Sequence, residues 1–450
     1  MGQQTILSTD SGSQAAGKLN NNFNELYNGQ GGGGGGTSIN DVVGRNADAI
    51  DRICAAKKHV LESQTGSSGS SSIRNTTNNF CIAHGSDFHT DKVRWRNFLD
   101  FAEGVDGIQA ILCTGDFTTQ SGLNQVEYMM DELDDANVTK PLMLAVGNHD
   151  RYGITNAQLD TQFKMATRNQ NIVTADSNHL YYYVDYPNNN NEFGDGTYNG
   201  ADKPSPNIST IRMIVLNQYD LTTTDRTKIG VDFHFTQAQI SWFIGVLMNT
   251  PATTGVIVCM HGRDGITIPS NTGDKKFYQR HYVWQRNNNS MAYTGTLIED
   301  IIEAFRTGTN INKSFSIANN DDPTVSVVGN FANNGARTFI AYMIGHSHAD
   351  MVGYSVYHPN QLYLHCPCSC LTPDYNNNGV LFGSGRYSYG NEVGDMPRVG
   401  GTKTQDCFNV YGIDTINKVV KVVRVGSTLN DLGQDRQMEY YPYETAPSND

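Results

Sequence analysis

Five short clusters of aspartate, asparagine and histidine follow directly on apolar runs of the sequence. These side chains bind metal ions and transfer protons, so the clusters are candidates for catalytic chemistry. If each apolar run is a buried strand, every cluster lies at the carboxyl end of a strand, where α/β sheets bind their ligands. One such cluster would carry little weight, but five, each with a glycine in or beside it, indicate one composite site. The clusters are Gly85-Ser86-Asp87-Phe88-His89, Thr114-Gly115-Asp116, Gly147-Asn148-His149-Asp150, His261 and Gly345-His346-Ser347-His348.

The apolar runs predict the strands that position these clusters. Each run is short and uninterrupted, which is typical of strands covered on both faces. The runs are 80–83, 110–113, 142–146, 213–216, 256–260, 338–344, 361–365, 407–413 and 419–425. Helical patterns occur at Lys92–Glu103, Gln125–Ala136 and Thr236–Met248. We therefore predict an α/β domain of two sheets between helices, with Pro187–Asn207 as a long surface loop.

Composition limits the classes of protein to which the chain can belong. Of the 450 residues, 38% are hydrophobic, which is enough to build a sizeable core. The formal net charge of −13 argues against a surface that binds nucleic acid, although bound metal ions would still attract an anionic substrate. No run approaches the ~18 apolar residues of a membrane span, and the first residues lack the basic and apolar regions of a secretory signal peptide.

Eight cysteines are too few to form a disulfide scaffold in a chain of this length. Cys81, Cys113 and Cys259 lie in apolar runs and are predicted to be small buried side chains. The tightest group, His365–Cys370, has the alternating spacing of a strand rather than the spacing of a zinc knuckle. We therefore predict structural cysteines and not a zinc site.

Residues 1–75 differ from the rest of the chain and predict an assembly module. A helical pattern within 1–30 precedes a six-glycine run, which is expected to be a flexible tether. A second helical pattern over Ser38–Leu61 has heptad spacing with Asn46 at one seam position, and the Gly/Ser linker Thr65–Ser72 follows it. This helix either forms a coiled-coil homo-oligomer, such as a trimer, or packs on the main domain.

The opening residues carry a resemblance of their own. Residues 8–27 resemble the short N-terminal segments of phage tail and fibre proteins. The resemblance implies that residues 1–75 attach the chain to other virion proteins, with the cytoplasm as the alternative location. The predicted layout is a helical attachment segment, a tether with helix and linker, a large domain and a C-terminal tail, at residues 1–30, 31–75, 76–430 and 431–450.

In their order along the chain, the five clusters resemble the motifs of the calcineurin-like metallophosphoesterases. The motifs are Asp-x-His, Gly-Asp, Gly-Asn-His-Asp, His and Gly-His-x-His, and the resemblance extends over residues 80–426. It implies a two-sheet β-sandwich flanked by helices (α/β/β/α) and two divalent metal ions, which could be Mn²⁺, Fe or Zn²⁺. The implied ligands are Asp87, His89 and His348 for the first ion, Asn148, His261 and His346 for the second, and Asp116 bridging both.

The resemblance also implies catalytic and supporting roles. His149 would donate a proton to the leaving group or steady the phosphate, and Asp150 would orient His149. Arg151 and Arg263 lie beside the ligand clusters and would either bind a substrate phosphate or be ordinary surface arginines. His84 is expected to support a ligand or to be a packing residue.

Departures from two branches of this family narrow the substrate class. Protein serine/threonine phosphatases carry Asp-Arg-Gly after the Gly-Asp motif, whereas this sequence continues Phe117-Thr118-Thr119. Purple acid phosphatases carry tyrosine at the position of Thr119 and glycine at the position of His89. The branch that remains contains phosphodiesterases, nucleotidases and phosphatases.

Three functions stay open. The leading one is a two-metal phosphoesterase that hydrolyses a phosphodiester or phosphomonoester with a metal-activated hydroxide. If residues 1–75 attach the chain to a virion, the expected substrate is a phosphate polymer of the host envelope. The second is a structural or receptor-binding phage virion protein with a vestigial metal site, which the complete ligand set disfavours. The third is an intracellular phosphatase or nucleotide phosphodiesterase in which residues 1–75 only oligomerise the chain.

Overall fold

The structure is a computed structural model of the chain. It describes residues 80–105, 107–119, 122–188, 208–220, 235–262, 266–268, 276–278, 294–315, 324–346, 351–355, 357–370, 406–415, 418–426 and 438–444. The helices, tether and linker expected in residues 1–75 lie outside these ranges. So do Arg263, His348 and residues 189–207 of the expected surface loop.

The described residues form mixed α/β structure. The strands are β1 Phe80–Gly85, β2 Ala110–Cys113, β3 Leu142–Leu144, β4 Tyr182–Pro187, β5 Thr210–Val215, β6 Thr254–Cys259, β7 Ile266–Ile268, β8 Lys276–Tyr278, β9 Ile311–Phe315, β10 Val325–Gly329, β11 Phe339–Ile344, β12 Met351–Ser355, β13 Leu362–His365, β14 Cys407–Asp414, β15 Val419–Gly426 and β16 Met438–Pro442. The helices are α1 Lys92–Gly104, α2 Leu123–Asp135, α3 Asn148–Arg151, α4 Asn156–Phe163, α5 Met165–Arg168, α6 Gln237–Met248 and α7 Thr294–Thr307. Within the described ranges, no helix has the length and apolar character needed to cross a membrane.

The first sheet has the strand order β16-β15-β14-β1-β2-β3. Strands β1, β2 and β3 run parallel, and helices α1 and α2 connect them in turn. Strand β14 pairs antiparallel with β1, and β15 and β16 continue in antiparallel order. Every residue of β1, β2 and β3 is buried, which confirms the strands predicted from the uninterrupted apolar runs.

The second sheet has the order β4-β5-β6-β11-β13-β12-β7-β8. Its centre is parallel, from β5 through β6 and β11 to β13, and β4 and β12 add antiparallel strands on either side. Strands β9 and β10 form a separate antiparallel pair. Parallel strands point their carboxyl ends to the same edge, so β6 and β11 deliver their following loops to one place.

Neighbouring residues of β6 face two different cores. Ile257 belongs to the core that contains the first sheet with α1 and α2, whereas Val258 packs with α6 and α7. Because side chains alternate across a strand, the second sheet has the first sheet on one face and helices on the other. The Tyr182 hydroxyl joins the sheets by bonding to both backbone groups of Leu144, and the ring of Phe98 in α1 packs against β14. This architecture is the predicted α/β/β/α sandwich.

Two segments differ from the sequence expectation. Met438–Pro442, which was expected in a C-terminal tail, forms β16 and pairs with β15, so the first sheet extends beyond residue 430. The strand expected to include Cys366–Cys370 ends at His365. The five residues that follow have no regular secondary structure. Cys366 bonds to β11 and β1, and Cys368, Ser369 and Cys370 bond to the loop after β1.

Helix α7 is absent from the sequence prediction although its pattern is present. Leu297, Ile298, Ile301, Ile302 and Phe305 recur at helical spacing, and all five are buried against the second sheet. This stripe is the usual signature of a helix that covers a sheet.

Candidate metal centre

The clusters of Asp, Asn and His meet where the loops after β1, β2, β3, β6 and β11 are joined by hydrogen bonds. His89 N donates to Asp116 O at 3.0 Å, and His149 N donates to Asp116 Oδ1 at 2.9 Å. His346 N, from the second sheet, donates to Asp87 Oδ2 at 2.9 Å. Loops from both sheets therefore converge on one place.

Four of the converging residues have a left-handed backbone. Asp87, His89, Asp116 and His346 have φ of 54°, 44°, 54° and 68°. A residue with a Cβ pays on the order of 1–3 kcal/mol for such a conformation, which persists only where the surrounding structure fixes it. Clustering of this kind is typical of functional sites.

Two glycines allow the loops to approach each other closely. A Cβ at Gly147 would lie 2.2 Å from both the amide nitrogen and Oδ1 of Asp116. A Cβ at Gly345 would lie 1.8 Å from Ser86 Oγ and 2.7 Å from Asp87 Oδ2. Since both separations are far below van der Waals contact, only glycine fits at these positions.

The first group of potential metal-ligand atoms surrounds His261. Its Nδ1 donates to Thr114 O at 2.6 Å. In the neutral tautomer that this bond selects, Nε2 carries a lone pair and lies 3.2 Å from Asp116 Oδ2 and 3.1 Å from His346 Nδ1. One ligand atom from each of Asp116, His261 and His346 lies within 4.8 Å of the other two, which is close enough to hold one metal ion.

Asn148 adds an oxygen to this group. Its Nδ2 donates to Tyr152 Oη at 2.8 Å, which leaves Oδ1 facing His261 Nε2 at 3.2 Å. Oxygen atoms of a carboxylate and an amide and nitrogen atoms of two imidazoles therefore converge, and a cation among them could bind to all four side chains. The residues present fit a divalent transition-metal ion, which binds nitrogen and oxygen donors of this kind.

The second group consists of His89, His149 and Asp116, whose ligand atoms also lie within 4.8 Å of one another. His89 Nδ1 donates to Thr118 O at 3.0 Å, and His149 Nδ1 donates to Thr119 O. Each ring therefore turns its Nε2 inwards, at 4.0 Å and 3.9 Å from Asp116 Oδ2. Backbone carbonyls thus orient the rings of this group and the ring of the first group in the same way.

Asp116 is the buried carboxylate common to both groups. Its burial raises the pKa of the carboxyl, but His261, His149 and His89 outweigh burial and hold that pKa below its usual range. Burial opposes protonation of His261 in turn, yet the negative charge of Asp116 raises the pKa of that imidazole. Asp87 Oδ1 lies 3.8 Å from His89 Nε2 and supplies a further carboxylate to the second group. The site therefore favours positive charge at its centre.

Strand-end motifs, a two-sheet sandwich and mixed nitrogen and oxygen donors occur together in one family. A model of the calcineurin-like phosphoesterase family matches residues 81–350, which is more than half of the chain. The chain belongs to this family. The matched residues include all five clusters of this calcineurin-like phosphoesterase, and the family typically binds divalent metals.

Solved structures that resemble this phosphoesterase share little of its sequence. TT1561 of Thermus thermophilus is 8% identical, with a TM-score of 0.33, over 81% of this chain and 99% of its own. PhoD is 8% identical, with a TM-score of 0.41, over 82% and 72% of the two chains. The NAD nucleotidase of Haemophilus influenzae is 12% identical, with a TM-score of 0.29, over 64% and 45%. No curated protein matches the sequence.

The structure places Asp150 differently from the sequence expectation. It was expected to orient His149, but in the structure the Thr119 carbonyl accepts from that ring and the Asp150 carboxylate binds backbone amides. Asp150 Oδ2 accepts from the amides of Asp116 and Gly147 at 2.9 Å each, and Oδ1 accepts from the amide of Thr118 at 3.1 Å. Asp150 therefore ties the loop after β2 to the loop after β3 and shapes the site through the backbone.

Asp150→Asn is expected to destabilise the fold. The asparagine has one acceptor oxygen in place of two, so its NH₂ group would face a backbone N–H donor at a fully buried position. An unsatisfied buried donor costs about 1–3 kcal/mol, and urea unfolding should show a loss of that size. Asp134→Asn is a matched control, because its carboxylate is 44% exposed and pairs with the side chains of Lys164 and Arg168 rather than with backbone amides. If Asp150→Asn loses no more free energy of unfolding than Asp134→Asn does, Asp150 does not hold the two loops together.

Two more residues from the sequence analysis lie beside the site. Arg151 is fully buried and its Nε donates to Tyr219 O at 3.1 Å, so a phosphate-binding role stays a prediction. His84 Nε2 bonds to Thr114 Oγ1 at 2.9 Å, and burial lowers the pKa of His84 to about 3, which keeps it neutral. Thr114 therefore lies between His84 and the candidate ligand His261, and a supporting role for His84 stays a prediction.

Several groups that shape the site escape sequence reasoning. They are the backbone carbonyls of Thr114, Thr118 and Thr119 and the hydroxyl of Tyr152. Every residue has a backbone carbonyl, so residue type does not indicate which carbonyls bind the histidines. The position of these residues directly after a strand was the one available signal. Tyr152 lies four residues after Asn148, and the one available signal was that helical neighbours at this spacing share a face.

Proposed function

We propose that this chain is a two-metal-dependent phosphoesterase. The observation that carries the proposal is the position of Asp116 Oδ2, which faces the histidines of both groups, because a carboxylate so placed can bind two ions at once. The proposed ligands are Asp87, His89 and His348 for one ion, Asn148, His261 and His346 for the other, and Asp116 for both.

The donor chemistry supports Mn²⁺, Fe or Zn²⁺ as the bound ions. Imidazole nitrogens suit these metals better than Ca²⁺, and the carboxylate and amide oxygens are compatible with all three. Ligating histidines usually donate their second N–H to a carbonyl or carboxylate, as His89 and His261 do. When bound, two such ions would polarise the phosphoryl group and activate water.

The protein groups have distinct roles in the proposed reaction. Asp116 and His261 are buried and would hold the ions from the protein side of the site. The side chain of His149 is 27% exposed, so it can meet a substrate that arrives from solvent. The Thr119 carbonyl fixes the ring so that its Nε2 faces the site. When the imidazole carries a proton on both nitrogens, the Nε2 proton can pass to the leaving oxygen of a phosphate ester and leave the neutral ring behind.

The proposed substrate is a phosphodiester or a phosphomonoester. The described ligands are all present and oriented, which supports an enzyme rather than a virion protein with a vestigial metal site. Attachment to a virion through residues 1–75, and action on phosphate polymers of a host envelope, stay predictions. An intracellular phosphatase or nucleotide phosphodiesterase is the alternative within the same chemistry.

Removal and return of metal tests the proposed function. Purified protein stripped with a chelator should hydrolyse neither bis(4-nitrophenyl) phosphate nor 4-nitrophenyl phosphate. Dialysis into Mn²⁺, Fe²⁺ or Zn²⁺ should restore hydrolysis of at least one ester, and the ratio of the two rates reports the preference for diester or monoester. Hydrolysis that persists after complete removal of metal, or that returns with none of the three ions, would contradict the proposal.

A further inference from the structure

Asp87 needs support that its own strand does not provide. It is fully buried and left-handed, with φ of 54°, and it lies just beyond the end of β1. Two bonds hold it from known parts of the site: its amide donates to Gly115 O at 3.0 Å, and Oδ2 accepts from His346 N. The peptide that precedes Asp87 must also be fixed, because its rotation would swing the carboxylate away from His89.

The residues after β13 run alongside this peptide. We call Cys366–Cys370 the Cys-Ser segment. Its Ser369 amide donates to Ser86 O at 2.9 Å, and the Cys370 amide donates to Asp87 O at 3.2 Å. Cys368 Sγ also donates to Asp87 O at 3.2 Å. The segment therefore holds both carbonyls of the Ser86-Asp87 pair.

The Ser369 hydroxyl binds the remaining backbone group of the Ser86-Asp87 pair, the amide of Ser86. Its Oγ accepts from Ser86 N at 3.3 Å and donates to Cys407 O at 3.0 Å. Cys407 is the first residue of β14, the antiparallel partner of β1. One buried hydroxyl, on a residue that is 1% exposed, therefore ties the start of the Asp87 loop to the neighbouring strand.

The side chain of Ser86 is also closely packed. On its other side lies Gly345, where even a Cβ would come within 1.8 Å of Ser86 Oγ. The Ser86 side chain thus packs against Gly345 while its backbone bonds to Ser369, and the position of Ser86 sets where Asp87 begins. We propose that Ser369 is a positioning residue for Asp87, which its hydroxyl holds in place for metal binding. This inference rests on the proposed function.

Ser369→Ala removes both hydrogen bonds of the hydroxyl and keeps the backbone bond. Changes in the residues that support metal ligands weaken metal affinity by about 10–100-fold, so the affinity for Mn²⁺ at one of the two sites should fall by that factor. Titration calorimetry of the metal-stripped protein with Mn²⁺ measures both affinities directly, without reference to turnover. Ser369→Thr, which retains the hydroxyl, should recover most of the affinity.

Ser355→Ala is the matched control. Ser355 is also 1% exposed, its hydroxyl donates to Glu299 Oε2 at 2.7 Å, and it accepts from the amides of Tyr357 and His358 at 3.1 Å each. The Ser355→Ala variant therefore loses buried hydrogen bonds of the same kind. Those bonds lie beside α7 and not beside the proposed metal ligands. Both alanine variants should lower the melting temperature of the metal-free protein, and only Ser369→Ala should weaken Mn²⁺ binding.

The outcomes separate this inference from the proposed function. If the wild-type chain binds no Mn²⁺, Fe²⁺ or Zn²⁺, the proposed function fails and the inference fails with it. If the wild type binds two ions and Ser369→Ala binds them equally well, Ser369 is only structural and the inference alone is overturned. Equal weakening in Ser355→Ala would also overturn it. Should Ser369→Ala not fold, Ser369→Cys replaces it, with a smaller loss of affinity expected because sulfur is a weaker hydrogen-bonding group.

Discussion

Asp116→Asn should reduce phosphoester hydrolysis to the background of the assay and lower the metal content below two ions per chain. The substitution removes the negative charge that faces both groups of histidines while keeping the size of the side chain. Asn Oδ1 can still accept from His149 N, so the loop after β3 should keep its place. Loss of the shared charge therefore acts on the ions and not on the fold.

Metal analysis by mass spectrometry, together with hydrolysis of the 4-nitrophenyl esters, measures both effects in one preparation. Asp100→Asn is the matched control, since that aspartate is 47% exposed on α1 and pairs with Arg96. An exposed pair contributes at most about 1 kcal/mol, so the control should keep wild-type activity and metal content. Two bound metals with full activity in Asp116→Asn would refute the assignment of Asp116 as the bridging ligand.

His149→Ala should lower kcat by about 10²–10⁴-fold while the protein keeps its metals, because general acid catalysis contributes on that scale. The Thr119 carbonyl holds the ring, and Nε2 lies 3.9 Å from Asp116 Oδ2. A leaving group that departs as a stable anion needs little protonation. The loss should therefore be smaller for a 4-nitrophenyl ester than for an alkyl ester of the same phosphate.

His149 also lies close enough to His89 and Asp116 to be a metal ligand, and the same variant separates the two roles. As a proton donor, its removal leaves Mn²⁺ affinity unchanged and makes the rate depend more steeply on the leaving group. As a ligand, its removal lowers metal content and slows all esters alike, and that result would contradict the proposed role. His179→Ala serves as the control, because that imidazole is 32% exposed and pairs with Asp160 on the surface.

The strands beside the site follow from the sequence for a simple physical reason. A strand that is buried on both faces has no polar face, so runs such as 80–83 and 256–260 are apolar throughout and end abruptly at polar residues. The structure buries β1 and β6 completely, and the polar residues follow where those strands end. Local composition therefore predicted both the positions of the strands and the residues at which their loops begin.

The supporting contacts of the site could not be predicted in the same way, because they join distant parts of the chain. Ser369 Oγ and Ser86 N are 283 residues apart, and no local pattern relates them. Asp150 stands next to His149 in sequence, yet the turn of α3 sends its carboxylate to three backbone amides. Adjacency in sequence suggested a partner that the geometry of a helical turn does not provide.

β16 and α7 show two different reasons for incomplete prediction. Among the described strands β16 pairs only with β15, and its sequence Met-Glu-Tyr-Tyr-Pro is not an uninterrupted apolar run, so its place depends on pairing with β15. Helix α7 has the apolar stripe of an amphipathic helix and could have been predicted from the sequence. The position of β16 therefore depends on tertiary pairing, whereas α7 could be found from the local periodicity of its sequence.

The central claim is that two metal ions share the Asp116 carboxylate. Anomalous diffraction at the manganese edge, from crystals of the full chain grown with Mn²⁺, tests it most directly. We predict two anomalous peaks about 3.5–4 Å apart, the separation typical of two-metal sites, one beside His89 and the other beside His261, with Asp116 between them. A single peak bound by His261 and His346 alone, or peaks that do not contact Asp116, would contradict the claim.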